Sequence, residues 1–310
     1  MRHPGGITAV DTEYVRPGLA ASHVIVHRGR AAFVDTGTSR SVPLLLAALD
    51  ILGIPRDAVD YVFITHVHLD HAGGAGRLMQ ELPVAQAVLH PRGAPHMVDP
   101  SRLIAGSIAV YGEERYRQLY GELVPIPAER VRVVQDGERL SLGGRELEFL
   151  HTPGHALHHY VIADAAYSCM FTGDTFGLSY REFDTKNGAF VIPTTTPTQF
   201  DPDQLLASVR RLLAHGPQAM YLTHYSRVTD VPRLADLLQA QIHELVSIAR
   251  RHADAPDRES AIRADMLSLW LRLLREHGCT MSDEAVEDFL AMDLDLNTQG
   301  IIAWLDRGKK

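Results

Sequence analysis

The chain has 310 residues, 45% apolar and 22% charged, with a net charge of −8 and a pI of about 6.1. These values suit one large α/β domain, or one domain with a small addition, and the acidic balance argues against nucleic acid as the main partner. No apolar run reaches the length of a membrane span, and Met1 to Thr12 lacks a signal-peptide core, so the expectation is a soluble cytoplasmic protein without membrane association.

Strands dominate the first part. Val24-Ile25-Val26 and Ala31-Ala32-Phe33-Val34 flank Arg28-Gly29-Arg30, a hairpin signal, and Asp35-Thr36-Gly37 closes that unit. Ser41 caps a helix running to about Leu52, which Gly53 and Pro55 end. Tyr61 to Thr65 is a short β-rich run, Ala75 to Glu81 a helix, and Val84 to Leu89 the next strand. Residues 92–124 read as an insertion, punctuated by Pro95, Pro100 and Gly106 and helical from Glu113 to Leu123. Strands return at Val131 to Val134, Glu146 to Leu150, Tyr160 to Ala163 and Tyr167 to Thr172, with turns at Asp136-Gly137 and Gly143-Gly144. Cys169 lies in the last of these as a small buried apolar residue. It is far from Cys279, so no disulfide framework is expected.

Asp203 to Ala214 is a helix and Ala219 to Thr223 the final strand. The chain then turns helical: Leu234, Leu238, Ile242, Leu245 and Ile248 keep helical spacing, as do Ile262, Met266, Leu269, Trp270, Leu273 and Leu274, with a further helix at Asp283 to Ala291. The division expected is a first domain over residues 1–230 and a helical cap over 231–310. Such a cap serves either as a homodimer contact or as a wall of the pocket.

The chemistry gathers in His66-Val67-His68-Leu69-Asp70-His71, directly after the apolar run Tyr61 to Ile64. His66 and His68 are two apart, so on an extended chain they point the same way. Asp70 and His71 follow the strand, and Gly73-Gly74 lets the backbone turn there. One short segment thus offers ligands in two directions. Its imidazoles and carboxylate suit zinc first, with iron or manganese also fitting. Three further residues sit where a strand leaves for a loop: His155, Asp174 and His224.

The motifs Thr65 to Gly74, Thr152-Pro153-Gly154-His155, Thr172-Gly173-Asp174-Thr175 and Thr223-His224 stand in the order found in the metallo-β-lactamase fold superfamily, which residues 7–230 resemble. Asp35-Thr36-Gly37 matches an early structural motif of the same family. The resemblance implies a four-layer αββα sandwich with a C-terminal helical extension, and two divalent metal ions at one sheet edge. By position, His66, His68 and His155 hold one ion, Asp70, His71 and His224 the other, and Asp174 bridges both. It implies a hydrolase acting on a small-molecule ester, thioester, lactone or phosphoester through a metal-bridging hydroxide, with Asp70 as the catalytic residue that orients that hydroxide and takes its proton. A di-iron redox protein or a metabolite-binding regulator on the same ligands are the alternatives.

Departures narrow the subfamily. The β-lactamases proper place a Cys where this chain has Asp174. Glyoxalase II enzymes follow their bridging Asp with Gly-Cys-Gly-Arg, where this chain has Phe176-Gly177-Leu178-Ser179-Tyr180-Arg181. Homoserine lactonases carry a Tyr at the position of Gly177. His159, Tyr180 and Tyr225 are the candidate substrate contacts, with His158 beside them. The run Phe190 to Thr198 is read as an extended loop whose hydroxyls face substrate.

Overall fold

Alternating apolar side chains and short turns build two mixed β-sheets, seen in a computed structural model that describes residues 1–196 and 198–308. Among the described residues, the first sheet runs in chain order: β1 (Arg2–His3), β2 (Ile7–Asp11), β3 (Ala21–His27), β4 (Arg30–Val34), β5 (Val59–Phe63), β6 (Gln86–Leu89) and β7 (Val131–Val133). Pairing is antiparallel from β1 to β4 and parallel from β4 to β7. The second sheet comprises β8 (Arg139–Leu142), β9 (Arg145–His151), β10 (Tyr160–Asp164), β11 (Cys169–Gly173), β12 (Ala219–Leu222) and β13 (Ser226–Val228), in reverse chain order across the sheet. There β11 and β12 are parallel and β8 to β11 antiparallel.

The period of two sorts each strand's residues between two cores. In β4, Ala32 and Val34 join Phe63, Phe149, Tyr160 and Phe171 in the core between the sheets. Ala31 and Phe33 point the other way, into a core with Leu45 and Leu49 of α1 (Val42–Leu52). Phe63 meets Phe149 edge-on at 5.3 Å between ring centroids, and Phe149 meets Tyr160 likewise at 5.1 Å. Cys169 is buried here, and burial pushes its thiol up to about 12, as suits a packing residue.

Short helices follow in the first half: α2 (Leu69–Ala72), α3 (Ala75–Glu81), α4 (Ala94–Val98), α5 (Ser101–Tyr111) and α6 (Glu113–Tyr120). The sequence marked α6 but not α5, which runs through Gly106. A Cβ there would meet nothing within 4 Å, so this glycine costs the helix only its propensity. Strands β1, β2, β8 and β13 were also not anticipated; β1, β8 and β13 have only two, four and three residues, too short to show a period.

Contacts divide the chain into two compact units. The first comprises Met1–His151, His158–Gly173 and Ala219–Arg227 and holds the sheets. The second comprises Thr152–Leu157, Asp174–Gln218 and Val228–Lys310, and carries α7 (Pro202–Ala214), α8 (Val231–Arg251), α9 (Arg258–His277) and α10 (Asp283–Gly308). The apolar positions read from the sequence are the buried faces of α8 and α9, apart from half-buried Leu273. Helix α10 continues well beyond Ala291. Its buried stripe, Val286, Leu290, Leu294 and Ile301, is interrupted by buried Asp293, Asn297 and Thr298, which read as an end of pattern. Two of them are engaged within this unit: Asn297 Oδ1 accepts from Thr195 Oγ1 at 2.9 Å, and Asp293 Oδ1 from the Tyr180 hydroxyl at 3.1 Å. No helix is long and apolar enough to cross a membrane among the described residues.

Two outcomes follow from this packing. Gly300 lies so close to the Thr195 carbonyl that an added Cβ would sit 1.5 Å from its oxygen. Gly300→Ala should therefore lower stability by more than about 2 kcal/mol in urea unfolding, although alanine is the better helix former. His23 is fully buried, edge-on to both Phe171 and Tyr221, and burial pushes its pKa from 6.5 down to about 3. The unfolded chain takes up this proton at the ordinary pKa and the folded chain resists it. The contribution is complete above pH 6.5 and is lost as pH falls from there toward 3. His23→Gln should flatten the fall of the unfolding free energy, measured in urea, below about pH 6.5, by up to about 1.4 kcal/mol per pH unit; an unchanged slope would contradict the assignment.

Candidate metal centre

Parallel pairing of β4 with β5, in register at Val34 and Phe63, brings the residues after both strands to one edge. Asp35 continues the ladder, its amide donating to the Phe63 carbonyl at 2.8 Å. Its carboxylate is fully buried and heavily used. Oδ1 accepts from the Thr65 amide at 2.9 Å, and Oδ2 accepts from Thr65 Oγ1 at 2.9 Å, His71 Nδ1 at 2.8 Å and Thr223 Oγ1 at 2.7 Å. A charge buried this deeply requires such partners.

His66 lies three residues beyond the end of β5, and its Nδ1 meets Thr65 Oγ1 at 3.1 Å. That fixes Nε2 as the outward nitrogen, 2.9 Å from His68 Nδ1. After His68 the chain enters α2, so Asp70 and His71 sit on a helical turn rather than on the strand. The two ligand directions expected from the spacing therefore come from a strand-to-helix change. Gly73 and Gly74 are in ordinary helical conformation. Glycine is needed there because a Cβ would lie 2.3 Å from the Leu69 carbonyl oxygen at one and 2.6 Å from that of Thr38 at the other.

Asp70, His71 and His224 converge, with one ligand atom from each lying within 4.8 Å of the others. Asp70 Oδ2 is 3.6 Å from His71 Nε2 and 3.2 Å from His224 Nε2. The remote nitrogens of both rings are held: His71 Nδ1 by Asp35, and His224 Nδ1 by the Leu19 carbonyl at 2.8 Å. Each imidazole thus presents Nε2 to the carboxylate, the arrangement by which outer partners orient metal ligands. Two imidazoles and a carboxylate, buried except for the 21% exposed side chain of Asp70, fit a zinc-type divalent ion.

The second unit holds the other two predicted ligands together. His155 is fully buried, with Nδ1 donating to the Thr194 carbonyl at 3.4 Å and Nε2 lying 3.4 Å from Asp174 Oδ2.

The other sequence candidates are placed as follows. His159 is fully buried and stacks on His66 at 4.8 Å. Tyr180 is buried in the second unit with its hydroxyl on Asp293. Tyr225 is half-buried, its hydroxyl 3.4 Å from Asp11 Oδ2. His158 stands edge-on to His68 at 5.8 Å, accepts from the Val67 amide at 3.4 Å, and is held neutral by burial with its pKa pushed down to about 3. In the run Phe190 to Thr198, Thr194 and Thr195 are buried and Pro197 lies outside the described residues. Sequence reasoning took Asp35 as structural and missed its bond to His71. It also missed Tyr14 and Tyr120, whose hydroxyls are 3.2 Å apart and whose pKa values burial and the Asp70 charge both raise.

A profile described as the metallo-beta-lactamase superfamily matches residues 15–224. The metallo-beta-lactamase fold-containing protein ST1585 of Sulfurisphaera tokodaii is 29% identical over 67% of this chain and 73% of its own length. The crystal structure of ST1585 from Sulfolobus tokodaii superposes with a TM-score of 0.61 at 25% identity, over 78% of this chain and 86% of that one. A metallo-beta-lactamase family protein of Thermus thermophilus gives a TM-score of 0.67 at 20% identity over 98% of this chain and 94% of its own, a likeness of fold that includes the C-terminal helices. A hydroxyacylglutathione hydrolase of Aeromonas hydrophila is 29% identical over 62% of this chain but only 55% of its own length.

Asp35→Asn keeps the side chain's size and removes its charge. Retention of metal against a competing chelator should drop about 10–100-fold while the circular dichroism spectrum is kept. Unaltered retention would show that His71 needs no anchor.

Proposed function

The chain belongs to the metallo-β-lactamase superfamily, and on that premise we propose that it is a dinuclear metal-dependent hydrolase of esters or thioesters, with lactones and phosphoesters as the remaining classes open to the same chemistry. The seven predicted ligands act together in this reading: His66, His68 and His155 on one ion, Asp70, His71 and His224 on the other, and Asp174 on both. The observation that carries it is the convergence of Asp70, His71 and His224 with both imidazoles oriented from behind. Bound there, two divalent ions, zinc by preference, would supply Lewis acidity and an acidified water.

The chain's own residues do the rest. Asp70 is the one member of its group with appreciable exposure, so it orients the attacking water and takes its proton. His71 and His224 cannot swing away while Asp35 and the Leu19 carbonyl hold their Nδ1 atoms. His158, neutral, has Nδ1 engaged by the Val67 amide and keeps Nε2–H as a donor toward substrate. The hydroxyacylglutathione hydrolases among the relatives support a thioester, although Phe176 to Arg181 does not reproduce the Gly-Cys-Gly-Arg stretch of that branch. No cluster histidine is replaced by glutamate, as flavodiiron proteins have it, which favours hydrolysis over oxygen chemistry.

The test is turnover of a thioester, a lactone, an aryl ester, a phosphodiester and a phosphotriester by stripped protein and by protein reloaded with zinc, manganese or iron. Metal-dependent cleavage of one class is expected, falling at least about a hundredfold in Asp174→Ala. Silence across the panel, with tightly held iron whose absorption responds to oxygen, would overturn the hydrolase reading.

A further inference from the structure

The loop between β2 and β3 is held in a costly shape. Glu13 and Val15 both have left-handed backbone, at φ 52° and 60°, and Tyr14 lies between them. Left-handed backbone is rare for a β-branched residue and persists only where the surroundings impose it. Here Asp11 imposes it: Oδ1 accepts from the Glu13 amide at 2.9 Å and Oδ2 from the Gly18 amide at 2.7 Å. The result is that Tyr14 turns inward and stacks on Tyr120 of α6 at 5.9 Å, while Val15 is left 52% exposed.

Beside this loop lies a cavity of about 420 Å³, built wholly within the first unit. Tyr14, Thr38, Arg40, Arg115 and Gln118 supply its polar lining, and Glu13 is the one acidic member. The wall between α1 and α6 is fixed, because Ser39 Oγ meets the carbonyls of Tyr120 and Glu122 at 2.9 and 2.7 Å. Arg40 spends one N–H on the Arg117 carbonyl at 3.0 Å, which braces the guanidinium and leaves its other donors for a ligand. The Arg115 and Asp70 charges both act on the Tyr14 phenol, in opposite senses. Tyr14 therefore lines this cavity while lying within electrostatic reach of Asp70.

We propose that this cavity recognises an anionic group, a carboxylate or a phosphate, carried by the substrate away from the bond that is cut. The two arginines outweigh Glu13, and guanidinium donors match the planar oxygens of either anion. Tyr14, Thr38 and Gln118 supply neutral donors around them. That the occupant is the substrate's own anionic end rests on the hydrolase reading; that the cavity takes an anion does not.

The experiment is isothermal titration of metal-loaded protein with monomethyl succinate and with n-butyl phosphate, against butyramide as a neutral control. Comparing the two anions separates the carboxylate from the phosphate source. Saturable binding of at least one anion is expected, weakened at least about tenfold in R40A/R115A with metal content and melting temperature unchanged, and weakened also by added salt. Tyr14→Phe should reduce it less than the double variant does. Equal affinity in the double variant would place the anion elsewhere, on the metals above all, and overturn the proposal, as would no binding of either probe. Arginine-dependent binding in a protein that turns over nothing in the ester panel would keep the anion site and remove the hydrolase reading.

Discussion

The candidate centre depends on one buried carboxylate. Asp35 is sealed from solvent and accepts hydrogen bonds from Thr65, His71 and Thr223. Those residues belong to, or stand directly beside, the chain segments that carry His66, His71 and His224. A fully buried charge with one partner missing is far costlier than one with all in place. The carboxylate therefore couples folding to ligand geometry: the arrangement that satisfies Asp35 is the arrangement that turns His71 Nε2 toward Asp70. Asp35 itself has left-handed backbone at φ 57°, a strain tolerated because so many partners determine its position.

Strand direction explains why such distant residues meet. In the first sheet the parallel pair β4 and β5 delivers Asp35 and His66 to one edge; in the second the parallel pair β11 and β12 brings Gly173 level with Leu222 and so sends His224 out at the strand's end. Antiparallel neighbours would have placed these ends on opposite edges. The core between the sheets, with Phe63 against Phe149, sits directly behind the edge where β5 gives way to the ligands. Packing and chemistry are thus consecutive along the same strands, which is how rigid elements hold a loop-borne site.

Much of this was legible in the residues because each candidate ligand is local. His66, His68, Asp70 and His71 crowd six positions, and His155, Asp174 and His224 each follow an apolar run. The long apolar stripes of α8 and α9 were equally plain. What escaped were features defined by partners far away in sequence. Asp35 reads as a turn residue until Thr223, 188 positions on, is seen to donate to it. Tyr14 and Tyr120, 106 apart, carry no shared pattern. The second half of α10 was lost because its buried Asp293 and Asn297 look like surface residues until Tyr180 and Thr195 are placed against them.

Such polar contacts also distinguish the two units physically. In the first, buried polar groups converge on a centre built to hold cations, and the carboxylates of Asp35 and Asp70 face imidazoles. In the second, the buried polar face of α10 is spent on fixing loops: Asn297 holds Thr195, the residue after the carbonyl that orients His155. An apolar face would have packed as well but would not have set the register of Thr194, because apolar contacts are non-directional and a hydrogen bond is not. The helical extension is therefore more than added core. Through Asn297, Thr195 and Thr194 it reaches the Nδ1 of a predicted metal ligand, so the stability of the C-terminal helices and the orientation of His155 are one problem rather than two.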